Sequence, residues 1–196
     1  MSVLLTASLS AALPLSAASH VDVVKMRTEN RVNPLGIGTS TPRFSWQITS
    51  DRKGVVQTSY QILVASSREK LDRNEADLWD SGERNSDEQL WIPYQGKALL
   101  SGAQAYWKVR ITTNKGKSEW TEPQLFTIGL LGETKWSGTW IGLEDLQPGE
   151  QKGMHTRLAA RYIRKDFAAK GKVKRALAYV AGLGVYEFYV NGQRMG

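Results

Sequence analysis

Short runs of alternating apolar and polar residues, separated by turn residues, recur along residues 21–128 without a sustained helical period. Alternation with a period of two is the signature of half-buried β-strands, and closely spaced runs of this kind are typical of all-β sandwiches. The pattern predicts strands at residues 21–27, 43–49, 59–65, 89–94, 106–112 and 124–128. Residues 66–78 differ, because they include Arg68-Glu69-Lys70-Leu71, which favours a short helical turn. The count and spacing of the strands indicate an immunoglobulin or fibronectin type III-like β-sandwich over residues 20–128.

Alternation also predicts which side chains form the core. Three strands place apolar sets on one face: Phe44, Trp46 and Ile48; Tyr60, Ile62 and Val64; and Trp107, Val109 and Ile111. The sequence contains no cysteine, so no disulfide can join the two sheets. We therefore expect Trp46 and Trp107 to supply much of the buried area that holds the sheets together.

A second β region follows a predicted linker at residues 129–135. Its alternation predicts strands at residues 160–167, 175–181 and 185–190, and Asn191-Gly192 then gives a strong hairpin signal because both turn positions need a positive φ. The return strand has barely begun at Gly196. We interpret residues 136–196 as the start of an incomplete second β-sandwich, and expect the chain to be the front of a longer protein.

The amino terminus has the sequence pattern of an export signal. Residues 3–18 are apolar and uncharged, and Pro14 precedes small residues of the kind found at cleavage sites, although no Lys or Arg precedes Val3. The run is too short to span a membrane. We predict a signal peptide at residues 1–18, export to the periplasm or the medium, and no membrane span.

The chain has 26 Lys and Arg against 19 Asp and Glu, a formal net charge of +7. Such an excess can indicate a nucleic-acid or acidic-polysaccharide partner, but the basic residues are dense only at residues 157–175. Apolar residues alternate with them there, which favours the solvated face of strands. We therefore predict no nucleic-acid partner.

The sequence nominates no catalytic, cofactor-binding or metal-binding residue. The two G-x-G runs, at residues 36–38 and 182–184, lack the third glycine of a dinucleotide site. His20 and His155 are isolated, so neither belongs to a cluster with metal-ligand spacing or to a recognisable nucleophilic triad. Four acidic residues are more typical of turns than of calcium ligands: Asp77, Asp80, Glu144 and Asp145.

Two residue classes could serve a function only through their arrangement in space. Paired carboxylates for glycoside hydrolysis are defined by a spatial separation, so no pair can be chosen from sequence among Glu29, Asp80, Glu83 and Glu187. Five tryptophans near turns could stack on sugar rings, although covering core edges or a domain interface is the favoured interpretation: Trp79, Trp91, Trp120, Trp136 and Trp140.

Several of these motifs, in this order and spacing, resemble the amino-terminal fibronectin-like domain of bacterial α-L-rhamnosidases. They are Arg43-Phe44-Ser45-Trp46, residues 57–65, Leu78-Trp79-Asp80-Ser81-Gly82, Tyr106-Trp107-Lys108-Val109-Arg110 and Trp120-Thr121-Glu122-Pro123. Residues 136–142, 161–167 and 182–192 continue the likeness into the start of that family's jelly-roll domain. The resemblance covers the chain from about Val21 to Gly196.

The resemblance implies an exported glycoside hydrolase that removes terminal α-L-rhamnose from plant glycans or glycosides with inversion. In that family an (α/α)6 barrel further along the chain carries the acidic general acid and base, and these have no counterpart here. Some relatives bind rhamnose with calcium in the jelly-roll domain, but no matching ligand motif occurs in this sequence. The expected role is a non-catalytic scaffold, inactive alone, whose partner is the remaining catalytic part of the same polypeptide.

Two other function classes remain open. A stand-alone carbohydrate-binding or adhesive β-sandwich module would bind rhamnose-containing glycans, and a coplanar pair of exposed tryptophans on one face would identify it. A basic nucleic-acid binder would show steeply salt-dependent affinity, and the predicted export signal counts against it.

Overall fold

The computed structural model describes residues 21–132, 136–142, 149–150 and 160–195. The predicted signal peptide at 1–18, His20, His155, Glu144 and Asp145 lie outside these ranges, as does part of the predicted linker. In chain order the elements are β1 (Val21–Thr28), β2 (Arg43–Ser50), β3 (Gln57–Ala65), α1 (Arg68–Asp72), β4 (Trp79–Asp80), β5 (Arg84–Asn85), β6 (Ile92–Pro93), β7 (Gln104–Thr113), β8 (Gly116–Lys117), β9 (Gln124–Thr127), β10 (Phe188–Val190) and β11 (Gln193–Met195). Two compact units divide between Thr134 and Lys135.

Two antiparallel sheets build the first unit. One sheet has the strand order β1-β2-β6, and the other has the order β4-β3-β7-β8 with β5 beside β3 and β9 beside β7. The longest ladder joins β3 to β7 and runs from Gln57 opposite Thr113 to Ala65 opposite Tyr106. The predicted all-β, immunoglobulin-like sandwich is therefore confirmed, and α1 confirms the predicted helical turn.

The core lies between these sheets and is dominated by aromatic side chains. Phe44 and Trp46 from β2 are almost fully buried, as is Trp107 from β7. The Phe44 and Trp107 rings lie 4.4 Å apart between centroids, which links the two sheets directly. The alternating sets chosen from sequence all contribute to this cluster, with Ile48 only partly buried. Trp46 and Trp107 thus occupy the positions expected of them.

The outer face of β3 is also buried, which alternation alone did not predict. Leu63 and Ala65 pack with Leu71 of α1 in a second, smaller core. Ser67 caps the start of α1, and the helix ends before Asn74, whose φ of 60° is the left-handed value common after a helix end. The Lys108 Nζ donates to the Leu71 carbonyl and to Asn74 Oδ1. A buried cation therefore supplies a hydrogen-bond donor to a carbonyl at the carboxyl end of the helix. Burial lowers the pKa of Lys108.

Four strand predictions need correction. The predicted strand at 89–94 is reduced to β6, because Leu90 and Trp91 bulge away from β2. In the second unit, residues 160–167 and 175–181 carry no strand, and β10 occupies only the end of the predicted strand at 185–190. Alternation marks residues suited to a strand, but a strand also needs a backbone partner, and the described part of the second unit pairs only β10 with β11.

The hairpin signal before the carboxyl end is confirmed. Residues Phe188 to Val190 pair antiparallel with Gln193 to Met195. Asn191 and Gly192 form the turn with φ values of 51° and 78°. Both values are positive, as a tight turn between twisted antiparallel strands requires.

The Asp77 carboxylate joins the segment before β4 to the start of α1. Its carboxylate accepts from the Ser66 backbone N–H at 2.8 Å, the Ser66 hydroxyl at 2.8 Å and Lys70 Nζ at 2.6 Å. Burial raises the pKa of Asp77, but the hydrogen bonds from Lys70 and Ser66 outweigh it and lower the pKa to about 2. Because this folded value lies below the unfolded one, the stabilisation is complete above about pH 4 and is lost as the pH falls toward 2.

We expect Asp77→Asn to lower the free energy of unfolding of the first unit by about 1 kcal/mol at pH 7, a figure reduced for solvent screening. Urea unfolding followed by tryptophan fluorescence at pH 7 and pH 3 measures it. The difference between variant and parent should shrink at the lower pH. Asp87→Asn, which removes an exposed loop carboxylate, is the control and should change stability by less than about 0.5 kcal/mol. An equal loss at both pH values would contradict the assignment to the ionised carboxylate.

Candidate functional site

The four carboxylates left open by the sequence each bind neighbouring groups. Glu29 accepts from Arg43, Asp80 from Gln61 and the Gly82 N–H, Glu83 from Ser59 and Thr112, and Glu187 from the Tyr189 hydroxyl. The hydrogen bond from Arg43 lowers the pKa of Glu29, and those from Ser59 and Thr112 lower the pKa of Glu83. A general acid for glycoside hydrolysis requires the opposite shift. These environments therefore suit carboxylates that hold loops in place.

The described residues contain neither a candidate metal site nor a candidate membrane-spanning helix. Those residues contain no group of three or more His, Asp or Glu side chains placed to hold a metal ion. They also contain no helix long and apolar enough to cross a membrane.

An open cleft near the core, of about 460 Å³, is lined partly by Ile48, Val55 and Val56. Gln57 also lines it, but the Gln57 amide is fully used: its oxygen accepts from Trp46 Nε1 at 3.0 Å and its nitrogen donates to the carbonyls of Ser86 and Glu88. The Gln57 amide in this cleft therefore has protein partners for its hydrogen bonds, and its role is to join neighbouring segments of the sandwich.

Two of the turn tryptophans cover the core or the sheet, as the favoured interpretation holds. Trp79 stacks on Phe44 with a centroid separation of 6.3 Å and meets Tyr94 edge-on at 5.5 Å. Trp120 lies beneath two cations, with the Arg110 guanidinium 4.4 Å and Lys108 Nζ 5.1 Å from the ring centroid. Both indoles are only partly exposed. In the second unit, Trp136 and Trp140 are exposed by 49% and 70%.

Trp91 differs from these, because a local bulge turns it outward. The Trp46 N–H bonds the Gln89 carbonyl, and Phe44 pairs with Ile92, so Ser45 alone stands opposite both Leu90 and Trp91. Trp91 takes a φ of 61°, which is rare for a bulky side chain, and its N–H donates to the Ser45 hydroxyl at 3.0 Å. Bulges of this type re-aim side chains and occur preferentially near functional sites.

An ion pair fixes the side chain that lies over Trp91. Arg43 donates to Glu29 through Nε at 3.1 Å and Nη2 at 2.8 Å, and its backbone N–H donates to the same carboxylate at 2.7 Å. The Arg43 guanidinium carbon then lies 4.1 Å from the Trp91 ring centroid. Such a bidentate pair holds the guanidinium plane in one orientation. We call Glu29, Arg43 and Trp91 the Trp91 cluster.

The sequence singled out Trp91 and Glu29 separately but did not bring them together. By sequence, Trp91 is one of five turn tryptophans and Glu29 is one of four candidate carboxylates for hydrolysis. The missing element is Ser45, whose buried hydroxyl supports the bulge. One extra residue opposite a strand position leaves no periodic signal, so alternation could not predict this geometry.

Comparison with known proteins gives consistent relatives. A family model described as the Rha78A-like, N-terminal immunoglobulin domain matches residues 23–132. An α-L-rhamnosidase of Formosa agariphila is 35% identical over 193 residues, which cover 91% of this chain and 20% of that protein. The present chain thus spans about a fifth of the length of this relative.

Solved structures match the same region. The crystal structure of Streptomyces avermitilis α-L-rhamnosidase complexed with L-rhamnose gives a TM-score of 0.59 at 36% identity, covering 63% of this chain and 12% of that one. The structure of α-L-rhamnosidase from Dictyoglumus thermophilum gives 0.59 at 34% identity, covering 64% and 14%. Both likenesses agree with the sandwich described above.

Proposed function

Because this chain belongs to the family of Rha78A-like N-terminal immunoglobulin domains, we propose that it is the non-catalytic scaffold segment of an α-L-rhamnosidase. The parent enzyme removes terminal α-L-rhamnose from plant glycans or glycosides. The observation that carries this proposal is the position of the match: relatives named α-L-rhamnosidase align along most of this chain, yet the aligned part is 20% of the Formosa agariphila protein.

The interior of the first unit supports a scaffold role. Its core is filled by packed aromatic rings, and its buried amide, Gln57, is satisfied by protein groups. The carboxylates Glu29 and Glu83 are held by donors that lower their pKa values. These features stabilise a rigid sandwich, whereas glycoside hydrolysis needs a pair of carboxyl groups across a sugar-sized gap, one of them with a raised pKa.

The proposal also assigns a place and a partner. The partner is the remaining, catalytic part of the same polypeptide, and the apolar run at residues 3–18 supports export to the periplasm or the medium. Residues 20–128 form the sandwich, residues 129–135 the linker, and residues 136–196 the start of the next β domain.

The test is an activity assay of two proteins side by side. The gene is extended beyond the codon for Gly196, and the completed polypeptide and the present chain are assayed with 4-nitrophenyl α-L-rhamnopyranoside. We expect hydrolysis by the completed polypeptide and no rate above buffer for the present chain. Hydrolysis by the present chain would contradict the proposal, and so would inactivity of both, which favours a stand-alone carbohydrate-binding module.

A further inference from the structure

We propose that the Trp91 cluster is a binding site for a pyranose ring of a neutral sugar, with α-L-rhamnose as its ligand. The choice of rhamnose rests on the proposed function, whereas the site itself rests on the geometry of Glu29, Arg43 and Trp91. The sugar packs its C–H face against the part of the indole that the Arg43 guanidinium does not cover, and its hydroxyl groups accept hydrogen bonds from Arg43.

The first support is the exposure of an indole that is held rigidly. Trp91 keeps 42% of its surface exposed although its backbone adopts a strained φ of 61°. Strain at such a position persists only where the surroundings impose it, and here Ser45 and the pairing of Ile92 with Phe44 do so. A core-covering role does not require this, since Trp79 covers the core from β4 as a strand residue.

The second support is the unused capacity of Arg43. Its Nε and Nη2 are committed to Glu29, while Nη1 has no hydrogen-bond partner among the residues that the structure describes. The Arg43 side chain is 47% exposed, and its guanidinium lies over the indole. A ligand meeting this cluster therefore finds an apolar face and fixed donors next to each other, and the fixed geometry reduces the entropy lost on binding.

The surroundings favour a sugar over a protein partner. Leu90 adds one exposed apolar side chain, but the preceding residues Asp87, Glu88 and Gln89 are polar. Protein interfaces of ordinary size bury about 800 Å² on each side and surround their Trp and Arg anchors with further contacts that exclude water. A single ring with one apolar face and several hydroxyls matches the small, amphipathic cluster better.

The experiment follows the indole N–H signals of the ¹⁵N-labelled full chain by NMR during titration with methyl α-L-rhamnopyranoside. The Trp91 signal is identified as the one missing in Trp91→Ala. We expect this signal to shift with a dissociation constant on the order of 1–10 mM, as for a small ligand with one stacked ring. In Trp91→Ala, the remaining signals should show at least about tenfold weaker binding, or none.

Trp140→Ala is the matched control, because it removes an exposed indole from the second unit and should leave the dissociation constant unchanged. No movement of the Trp91 signal at about 100 mM sugar, some tenfold above the expected constant, would overturn the inference. Shifts that survive in Trp91→Ala would overturn it as well, by placing the site elsewhere. Either failure leaves the activity assay of the completed polypeptide unaffected, so the two proposals fail separately.

Discussion

Replacing Gly96 with alanine is expected to lower the free energy of unfolding of the first unit by about 3 kcal/mol, at the upper end of the usual cost of overpacking. A Cβ at this position would lie 2.4 Å from the Leu78 carbonyl oxygen, 2.4 Å from Trp79 Cβ and 2.5 Å from the Tyr94 hydroxyl. The Leu78 oxygen is a backbone atom that already accepts from the Lys97 N–H at 3.0 Å. The methyl group can therefore be accommodated only if this contact opens.

The same change disturbs the Tyr94 hydroxyl, which donates to the Lys97 carbonyl at 2.7 Å and lies 3.3 Å from that of Leu78. Burial raises the pKa of Tyr94 to about 12, as expected of a hydroxyl held in this position. Gly38→Ala is the control, because no atom lies within 4 Å of a Cβ placed there. Urea unfolding should separate the two variants clearly. Equal stabilities would show that the Gly96 contact relaxes without cost.

Replacing Gln57 with leucine is expected to destabilise the first unit by about 3–5 kcal/mol. Gln57 is 2% exposed, and the substitution would strand the Trp46 indole N–H and the carbonyls of Ser86 and Glu88. Each buried polar group left without a partner costs about 1–3 kcal/mol. Urea unfolding followed by tryptophan fluorescence measures the loss.

Two controls distinguish loss of the Gln57 hydrogen bonds from a general effect of introducing leucine. Gln47→Leu changes an exposed glutamine on β2 and should alter stability by less than about 0.5 kcal/mol. The double variant Trp46→Phe with Gln57→Leu removes the stranded indole N–H and should cost less than the sum of the two single variants. Strict additivity would argue against a shared hydrogen bond as the source of the effect.

Much of the first unit could be predicted because its strands have the two-residue period of half-buried sheets. Trp46 is buried and Ile48 partly buried, while Gln47 between them is exposed, so alternation alone assigned the faces of this part of β2. The Asn191-Gly192 turn could also be predicted from the sequence. Both positions of such a turn require a positive φ, and these two residues adopt it.

The rest depended on contacts between residues far apart in sequence. Gln57 and Ser86, 29 positions apart, meet only after the sheets form, and nothing local marks Gln57 as buried. The burial of Lys108 follows from α1, which covers the outer face of the sheet and whose Leu71 carbonyl accepts from Lys108 Nζ. The bulge at Trp91 depends on which residues of β2 it opposes. The strands predicted at 160–167 and 175–181 failed for a related reason, since alternation cannot supply a partner strand.

The scaffold role is tested most directly by the kinetics of Gly96→Ala in the completed polypeptide. We expect the midpoint of thermal inactivation to fall by about 10 °C if loss of the first unit inactivates the enzyme. We also expect kcat and KM for 4-nitrophenyl α-L-rhamnopyranoside, measured well below that midpoint, to stay within about twofold of the parent values. A fall in kcat of tenfold or more with an unchanged midpoint would contradict the account, because the first unit would then take part in the chemistry itself.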